Sequence, residues 1–302
     1  MAATIGLSGG SFRGLLLDNE ANADRQGSGF TPLCHLRYPD QNLYRDDAVG
    51  LNFEHIMNGA AADAARSMFT PRKDRCLLRS HAPGEASVCH PAADSSWGIE
   101  SEMRYCLGAD CVDMEFTARL TDERCAPLGY VAFMWASYMN RTCGRAIHFY
   151  GTCEGEEGWV RFGEDLPDGR FETGTVAHAS VDPLPYEEGA ETLNIVEDPR
   201  KRFLLPFYYG LADGDGDLSS AGDRMVYAMM FDQEAPIRFA LWNFIQDERG
   251  RPDPHSPAWD WQYVIRAPEI GRTYRYRARL LYRPFVDREA VRRAYEEWAS
   301  GL

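Results

Sequence analysis

The sequence predicts an all-β protein: a large antiparallel β-sandwich, supersandwich-like in size, with a C-terminal helix. Three observations carry that prediction. Short apolar or alternating stretches recur from residue 49 to residue 283, with the two-residue period of strands. Turns rich in Gly, Asp and Pro separate them. No strand–helix–strand rhythm appears, which argues against a parallel α/β sheet.

The first 45 residues are turn-rich, with Gly9-Gly10, Asp18-Asn19 and Gly27-Ser28-Gly29, and are expected to drape irregularly over the core. Val49 to Met57 then alternates. Val49, Leu51, Phe53, His55 and Met57 fall on one face, and Asn52 and Glu54 on the other. Gly129 to Met139 is almost wholly apolar and reads as a central strand covered on both sides. Arg145–Gly151 and Glu157–Phe162 follow as strands.

Arg224–Asp232 and Pro236–Ile245 are joined by a short acidic link, which is a hairpin signature. Ala258–Arg266 places Trp259, Trp261, Tyr263 and Ile265 on one side, and Asp260 and Gln262 on the other. In Thr273–Arg283, Tyr274, Tyr276, Ala278, Leu280 and Tyr282 face inward. Arg275, Arg277, Arg279 and Arg283 form a solvated row. Asp287 is a good N-cap for a helix over 287–299, whose apolar stripe is Ala290, Val291, Ala294, Tyr295 and Trp298. No repeat or linker divides the chain, so residues 1–302 read as one domain.

A net charge of −14 with no Lys/Arg block argues against nucleic acid and anionic membranes as partners, because such binding needs a concentrated basic surface. Leu15-Leu16-Leu17 runs straight into Asp18, too short for the apolar core of an export signal. No window approaches the roughly 18 uncharged apolar residues of a membrane span. A cytoplasmic location is expected, and homo-oligomerisation is left open. The eight cysteines contain no CxxC pair, so reduced thiols are expected and no zinc site is predicted.

Several motifs are missing: G-x-G-x-x-G, the P-loop, HExxH and G-x-S-x-G. Nucleotide, zinc-protease and common serine-hydrolase chemistry drop out with them. Asp213-Gly-Asp215-Gly-Asp217 opens like an EF-hand loop, but Leu218 and Arg224 stand where Gly and Glu are required. It reads as an acidic turn.

What remains is polar residues in aromatic settings. Glu54 and His55 sit on an otherwise apolar strand, and His148 lies among Ile147, Phe149 and Tyr150. The run from Asp253 to Gln262 holds His255 behind two prolines and follows it with Trp259, Asp260 and Trp261. Aromatic faces cover the C–H patches of sugars, and carboxylates and amides take their hydroxyls. Trp259, Trp97 and Trp135 are therefore candidate stacking platforms, with Gln262 as a polar partner. Glu100 and Glu102 would share a strand face about 7 Å apart; paired carboxylates suit glycoside cleavage.

An acidic chain of aromatic strands and inward histidines resembles the galactose-mutarotase-like supersandwich over residues 45–285. Segments 206–217 and 253–263 read as the signature stretches of a bacterial β-sandwich family. The resemblance implies a site on the concave face of a large sheet, with His and Glu as acid and base. It also implies kinship with aldose epimerases, lyases and glycosidases. The Asn-His-x-Tyr-Phe-Asn segment of aldose epimerases is absent, so no catalytic residue is carried across. The expected function is cleavage of a glycosidic bond by His/carboxylate acid–base catalysis, acting on a carbohydrate or other small molecule. His255, His148, His55, Glu54 and Asp260 are its candidate catalytic groups. Sugar epimerisation, or a non-catalytic carbohydrate-binding sandwich, is the alternative. No cofactor is expected; a divalent metal on His and Glu ligands is the other option considered.

Overall fold

Eighteen strands and one α-helix form among the described residues of the computed structural model, which are 3–21, 27–61, 63, 66–213, 224–243 and 256–302. β1 (Thr4–Gly9), β2 (Phe12–Leu17) and β3 (Gly29–His35) make a small antiparallel sheet. The fifteen others share one large sheet. In chain order it begins with β4 (Asn52–Met57), β5 (Leu77–Ala82), β6 (Glu85–His90), β7 (Ile99–Leu107) and β8 (Cys111–Leu120). β9 (Tyr130–Ala136), β10 (Ile147–Cys153), β11 (Glu156–Phe162), β12 (Gly174–His178) and β13 (Glu197–Phe203) follow. β14 (Phe207–Asp213), β15 (Arg224–Phe231), β16 (Ile237–Trp242), β17 (Ala258–Arg266) and β18 (Thr273–Pro284) complete it.

Across this sheet the order is β4-β9-β17-β16-β12-β13-β10-β14-β15-β18-β8-β7-β6-β5, with β11 added beside β10. Neighbours are antiparallel except β12 and β13, which run parallel. The sheet folds back on itself. Trp135 of β9 lies 4.7 Å from Phe116 of β8 and 5.5 Å from Tyr276 of β18, although those strands are far apart in the order. A first wall of β4, β9, β17 and β16 therefore faces a second wall of β15, β18, β8 and β7. Between them Trp135 stacks on Trp261 at 5.5 Å, and the Trp261 indole N–H donates to the Tyr276 hydroxyl at 2.8 Å. Each fully buried ring of this kind contributes about 1.5–3 kcal/mol of burial.

Both walls are covered on their outer faces as well. The segment 179–196 straps the first wall: Leu184 and Ile195 pack on Met57, Tyr130, Met134 and Val264. The Tyr130 hydroxyl donates to the Pro185 carbonyl at 3.0 Å. That is why β9 is buried throughout and β17 is buried up to its last residue, Arg266. The helix α1 (Arg288–Ser300) covers the outer side of β14 and β15, with Val291, Tyr295 and Trp298 on Phe207, Tyr209 and Met230. Asp287 caps it by accepting from the Ala290 N–H at 2.6 Å. The Arg row of β18 is met by acids: Arg275 by Glu115 at 3.3 Å, Arg277 by Asp232 at 3.5 Å and Arg279 by Asp113 at 2.6 Å. All eight cysteines are unpaired.

Two expectations are corrected. The first 45 residues are not irregular, because they contain β1, β2 and β3. Gly10 reverses the chain between β1 and β2 at φ +53°, a conformation glycine adopts without strain. Leu7, Phe12, Leu16, Phe30 and Leu33 join the main core. Their turn-rich spacing masked a weak alternation. The expected hairpin at 224–245 is also absent: β15 pairs with β14 and β18, while β16 pairs with β12 and β17. Phe231 and Phe239 instead stack across the core at 6.1 Å. The acidic link passes from one wall to the other, because both strands are buried on both faces and find partners elsewhere.

Candidate active site

The site begins with an irregularity in β4. Phe53 pairs with Trp135 and His55 with Met134, so Glu54 is an extra residue in the ladder. A bulge of this kind turns two successive side chains the same way. Phe53 and Ile56 enter the core, while Glu54 and His55 join the groups on the outer face of the first wall. Simple alternation placed Glu54 and His55 on opposite faces; the bulge overturns that.

Three groups converge on one carboxylate oxygen. The Tyr138 hydroxyl donates to Glu54 Oε1 at 2.7 Å. Arg72 Nη1 stands 3.0 Å from the same oxygen, and His55 Nε2 stands 3.8 Å from it. Glu54 and His55 are nearly sealed, whereas the Arg72 side chain keeps 25% exposure and reaches the surface. Asp260, on β17 with β9 between it and β4, is buried and accepts from the Ser137 N–H at 3.0 Å. The His55 ring meets Phe69 edge-on at 4.6 Å.

The electrostatics separate the roles of these groups. Burial raises Glu54 above the usual carboxylate range, while the Arg72 guanidinium and the Tyr138 hydroxyl oppose that rise. Burial, reinforced by Arg72, pushes His55 down to about 3, so it is neutral at physiological pH. Burial and then the Glu54 charge hold Asp260 well above the ordinary aspartate value, which favours its protonated form. The cluster thus combines a carboxyl paired with a guanidinium, a second buried carboxyl pushed further toward its protonated form, and an imidazole pushed toward its neutral form. Environments that push titratable groups apart in this way sort them into bases and acids.

Behind the cluster lies a buried hub. Arg238 donates to Gln262 Oε1 at 2.9 Å and to the carbonyls of Asn194 and Ile195 at 3.1 and 2.6 Å. Glu197 lies 3.0 Å from its Nη2. Burial lowers the guanidinium to about 10, with Glu197 opposing.

The other candidates fall elsewhere. Trp135 and Trp259 are fully enclosed in the core, so neither presents a stacking face. Trp259 presses so closely on β14 that a Cβ at Gly210 would come within 2.2 Å of its ring. Trp97 is nearly buried, donates to Thr70 Oγ1 at 2.8 Å, and borders a half-open cavity of ≈ 230 Å³ with Met57, Arg66 and Arg124. Glu100 and Glu102 do share a face, alongside a cleft of ≈ 430 Å³. Arg119 pairs with the first, and His81 lies 3.7 Å from the second. Neither belongs to the Glu54 cluster. His148 stacks on Tyr209 at 5.0 Å on a different part of the sheet. Gln262 serves the Arg238 hub. His255 and residues 214–223, which hold most of the acidic turn, lie outside the described residues.

Arg72, Tyr138, Asn194 and Arg238 carried no signal in the sequence. Tyr138 lay within the apolar stretch Gly129–Met139. Among the described residues no group of three or more His, Cys, Asp or Glu could hold a metal ion, and no helix is long and apolar enough to cross a membrane.

In sequence, the chain matches no family model and no curated protein. In structure it is similar to Slr1438 of Synechocystis sp. PCC 6803, with a TM-score of 0.52, 9% identity, and coverage of 93% of this chain and 96% of that one. An Escherichia coli K12 protein assigned provisionally as an aldose 1-epimerase gives 0.48 at 10% identity, over 94% and 100% of the two chains. The GH36 α-galactosidase AgaA of Geobacillus stearothermophilus gives 0.46 at 9% identity. It is matched over 93% of this chain but 41% of its own length. At 9% identity the likeness to Slr1438 is one of fold alone.

Proposed function

We propose that the protein is a carbohydrate-active acid–base enzyme whose reaction takes place at Glu54. The observation that supports this reading most directly is the convergence of Arg72, Tyr138 and His55 on one buried carboxylate oxygen, with a second carboxyl close enough to feel its charge. In the favoured reading the substrate is a free aldose. Glu54 takes the proton of the anomeric hydroxyl and Asp260 gives one to the ring oxygen, so the ring opens and recloses as the other anomer. The enclosure of both carboxyls favours a small substrate without an aglycone. Glycosidic cleavage is the second reading, favoured by the same carboxyl pair: Asp260 would protonate the leaving oxygen and Glu54 would activate water.

The test is a panel of freshly dissolved aldoses followed by polarimetry, beside glycosides assayed for reducing ends and for unsaturated uronates. Anomer exchange lost in Glu54→Gln supports the first reading, and new reducing ends lost in that variant support the second. A substrate turned over equally well by Glu54→Gln would remove Glu54 from the chemistry.

A further inference from the structure

His55 Nε2 and Glu54 Oε1 face each other at 3.8 Å, beyond hydrogen-bond reach. Nε2 is buried and has no hydrogen-bond partner among the described residues. Which ring nitrogen carries the proton decides what this gap can hold, since a neutral imidazole has one donor and one acceptor.

The other nitrogen answers that question. Nδ1 lies 3.5 Å from Asn194 Nδ2 and 3.2 Å from Met134 Sδ. A thioether is a weak acceptor, and an amide is a strong donor. With the Asn194 amide donating to Nδ1, the proton must sit on Nε2. The reversed amide would leave a buried NH₂ with two unmet hydrogens. The orientation found places Nδ2 against the ring, where it makes one hydrogen bond, and leaves the acceptor Oδ1 without a partner.

Asn194 is itself seated by groups that do not touch His55. Its backbone stands at φ +68°, a region that asparagine tolerates better than most residues. Its carbonyl accepts from Arg238 Nη1 at 3.1 Å and from Gln262 Nε2 at 2.9 Å. Arg238 also holds the next carbonyl, at Ile195, and is paired with Glu197. The side chain that meets His55 is thus aimed by a buried guanidinium on β16 and an amide on β17.

We propose that Asn194, seated by Arg238 and Gln262, is a positioning residue that fixes His55 as its Nε2–H tautomer, turned toward Glu54, so that the two together grip one substrate hydroxyl. An oxygen about 2.8 Å from each atom bridges the gap: Nε2–H donates to it, and Glu54 accepts its hydrogen. The groups facing His55 are Glu54, Arg72, Asn194, Phe69 and Met134; of these, the Asn194 amide is the strong donor at Nδ1. The inference rests on the reading of Glu54 and His55 as the reacting site.

The experiment is long-range ¹H–¹⁵N correlation of the histidine rings in the full-length ¹⁵N-labelled protein, with His55 assigned by the signal missing in His55→Gln. The wild type is expected to show the Nε2–H form. Asn194→Asp is nearly isosteric and cannot donate, so it is expected to place a proton on Nδ1. A wild-type Nδ1–H form, or an Nδ1 that stays bare in Asn194→Asp, overturns the proposal, and the wild-type spectrum alone decides if the variant fails to fold. These spectra need no substrate. The expected tautomer in a protein that turns over no sugar would therefore defeat the functional reading and leave the tautomer assignment standing.

Discussion

The outer faces of the two sides of the sheet each pack a histidine against an aromatic ring, in different surroundings. On the first wall, His55 sits 3.8 Å from a carboxylate that also holds a guanidinium and a phenol. On the helix-covered side, His148 stacks on Tyr209, and Trp159 packs against Tyr209 in turn. Both imidazoles are driven neutral by burial, His55 to about 3 and His148 to about 4. Burial alone therefore does not distinguish the proposed reacting group from a packed one. What distinguishes them is the cover: a strap of loop carries polar backbone and Asn194 to one face, while an amphipathic helix carries Tyr and Trp to the other.

The comparison is most exposed to a paired substitution. His55→Gln is expected to slow turnover of whichever sugar proves active by about 10²-fold, the usual loss for one donor aimed at a reacting oxygen. His148→Gln is expected to leave the rate within about twofold. Steady-state kinetics on both variants decide it. Equal losses would mean that the two histidines share a site, and the division drawn here would fail.

A second contrast concerns stability. Tyr295 stacks on Phe207 at 5.0 Å beneath the helix. Tyr295→Ala removes a half-buried ring and is expected to cost about 2–3 kcal/mol in urea unfolding, without moving the His55 ring signals. A shift at His55 would show that the helix side and the first wall are coupled.

The two histidines should nevertheless look alike to acid. Each has a folded-state value below its ordinary 6.5, so the unfolded chain binds a proton that the native protein refuses. Their contribution is fully present above about pH 6.5. It is lost as pH falls, down to about 4 for His148. His148→Gln is expected to flatten the acid limb of stability against pH by up to about 1.4 kcal/mol per unit in that window. Raised carboxyls such as Asp260 act in the opposite sense, so the slope must be compared variant by variant.

The fold was readable because its signals are local and periodic. The alternation of Trp259, Trp261 and Tyr263, the unbroken apolar run of β9 and the cap at Asp287 each reflect a face that must be buried or a helix end that must be satisfied. Long-range pairing was not readable. The link after β15 looked like a hairpin because turn chemistry reports only the turn, whereas β15 and β16 found partners from remote parts of the chain. The site was half readable. Glu54, His55 and Asp260 stood out as polar residues on apolar strands, and the structure brings them together. The bulge that turns Glu54 beside His55 has no sequence mark, and Arg72, Tyr138 and Asn194 arrive from separate segments. The same aromatic richness that suggested stacking platforms turned out to be core at Trp135 and Trp259, because an indole on an alternating strand looks identical whether it faces a ligand or another sheet.

The smallest expected effect is also the cleanest probe of the division between the two faces. Asp287 accepts from the Ala290 N–H at 2.6 Å and satisfies one of the free donors in the first turn of the helix. Asp287→Ala should destabilise the protein by about 1 kcal/mol, the usual cost of a lost N-cap, measured as a shift in urea midpoint at unchanged slope. Because that cap touches neither wall's polar groups, the variant should keep wild-type turnover and an unchanged His55 tautomer. A loss of activity out of proportion to so small a destabilisation would mean that the helix-covered side reaches the Glu54 cluster after all, and that the two faces work as one site.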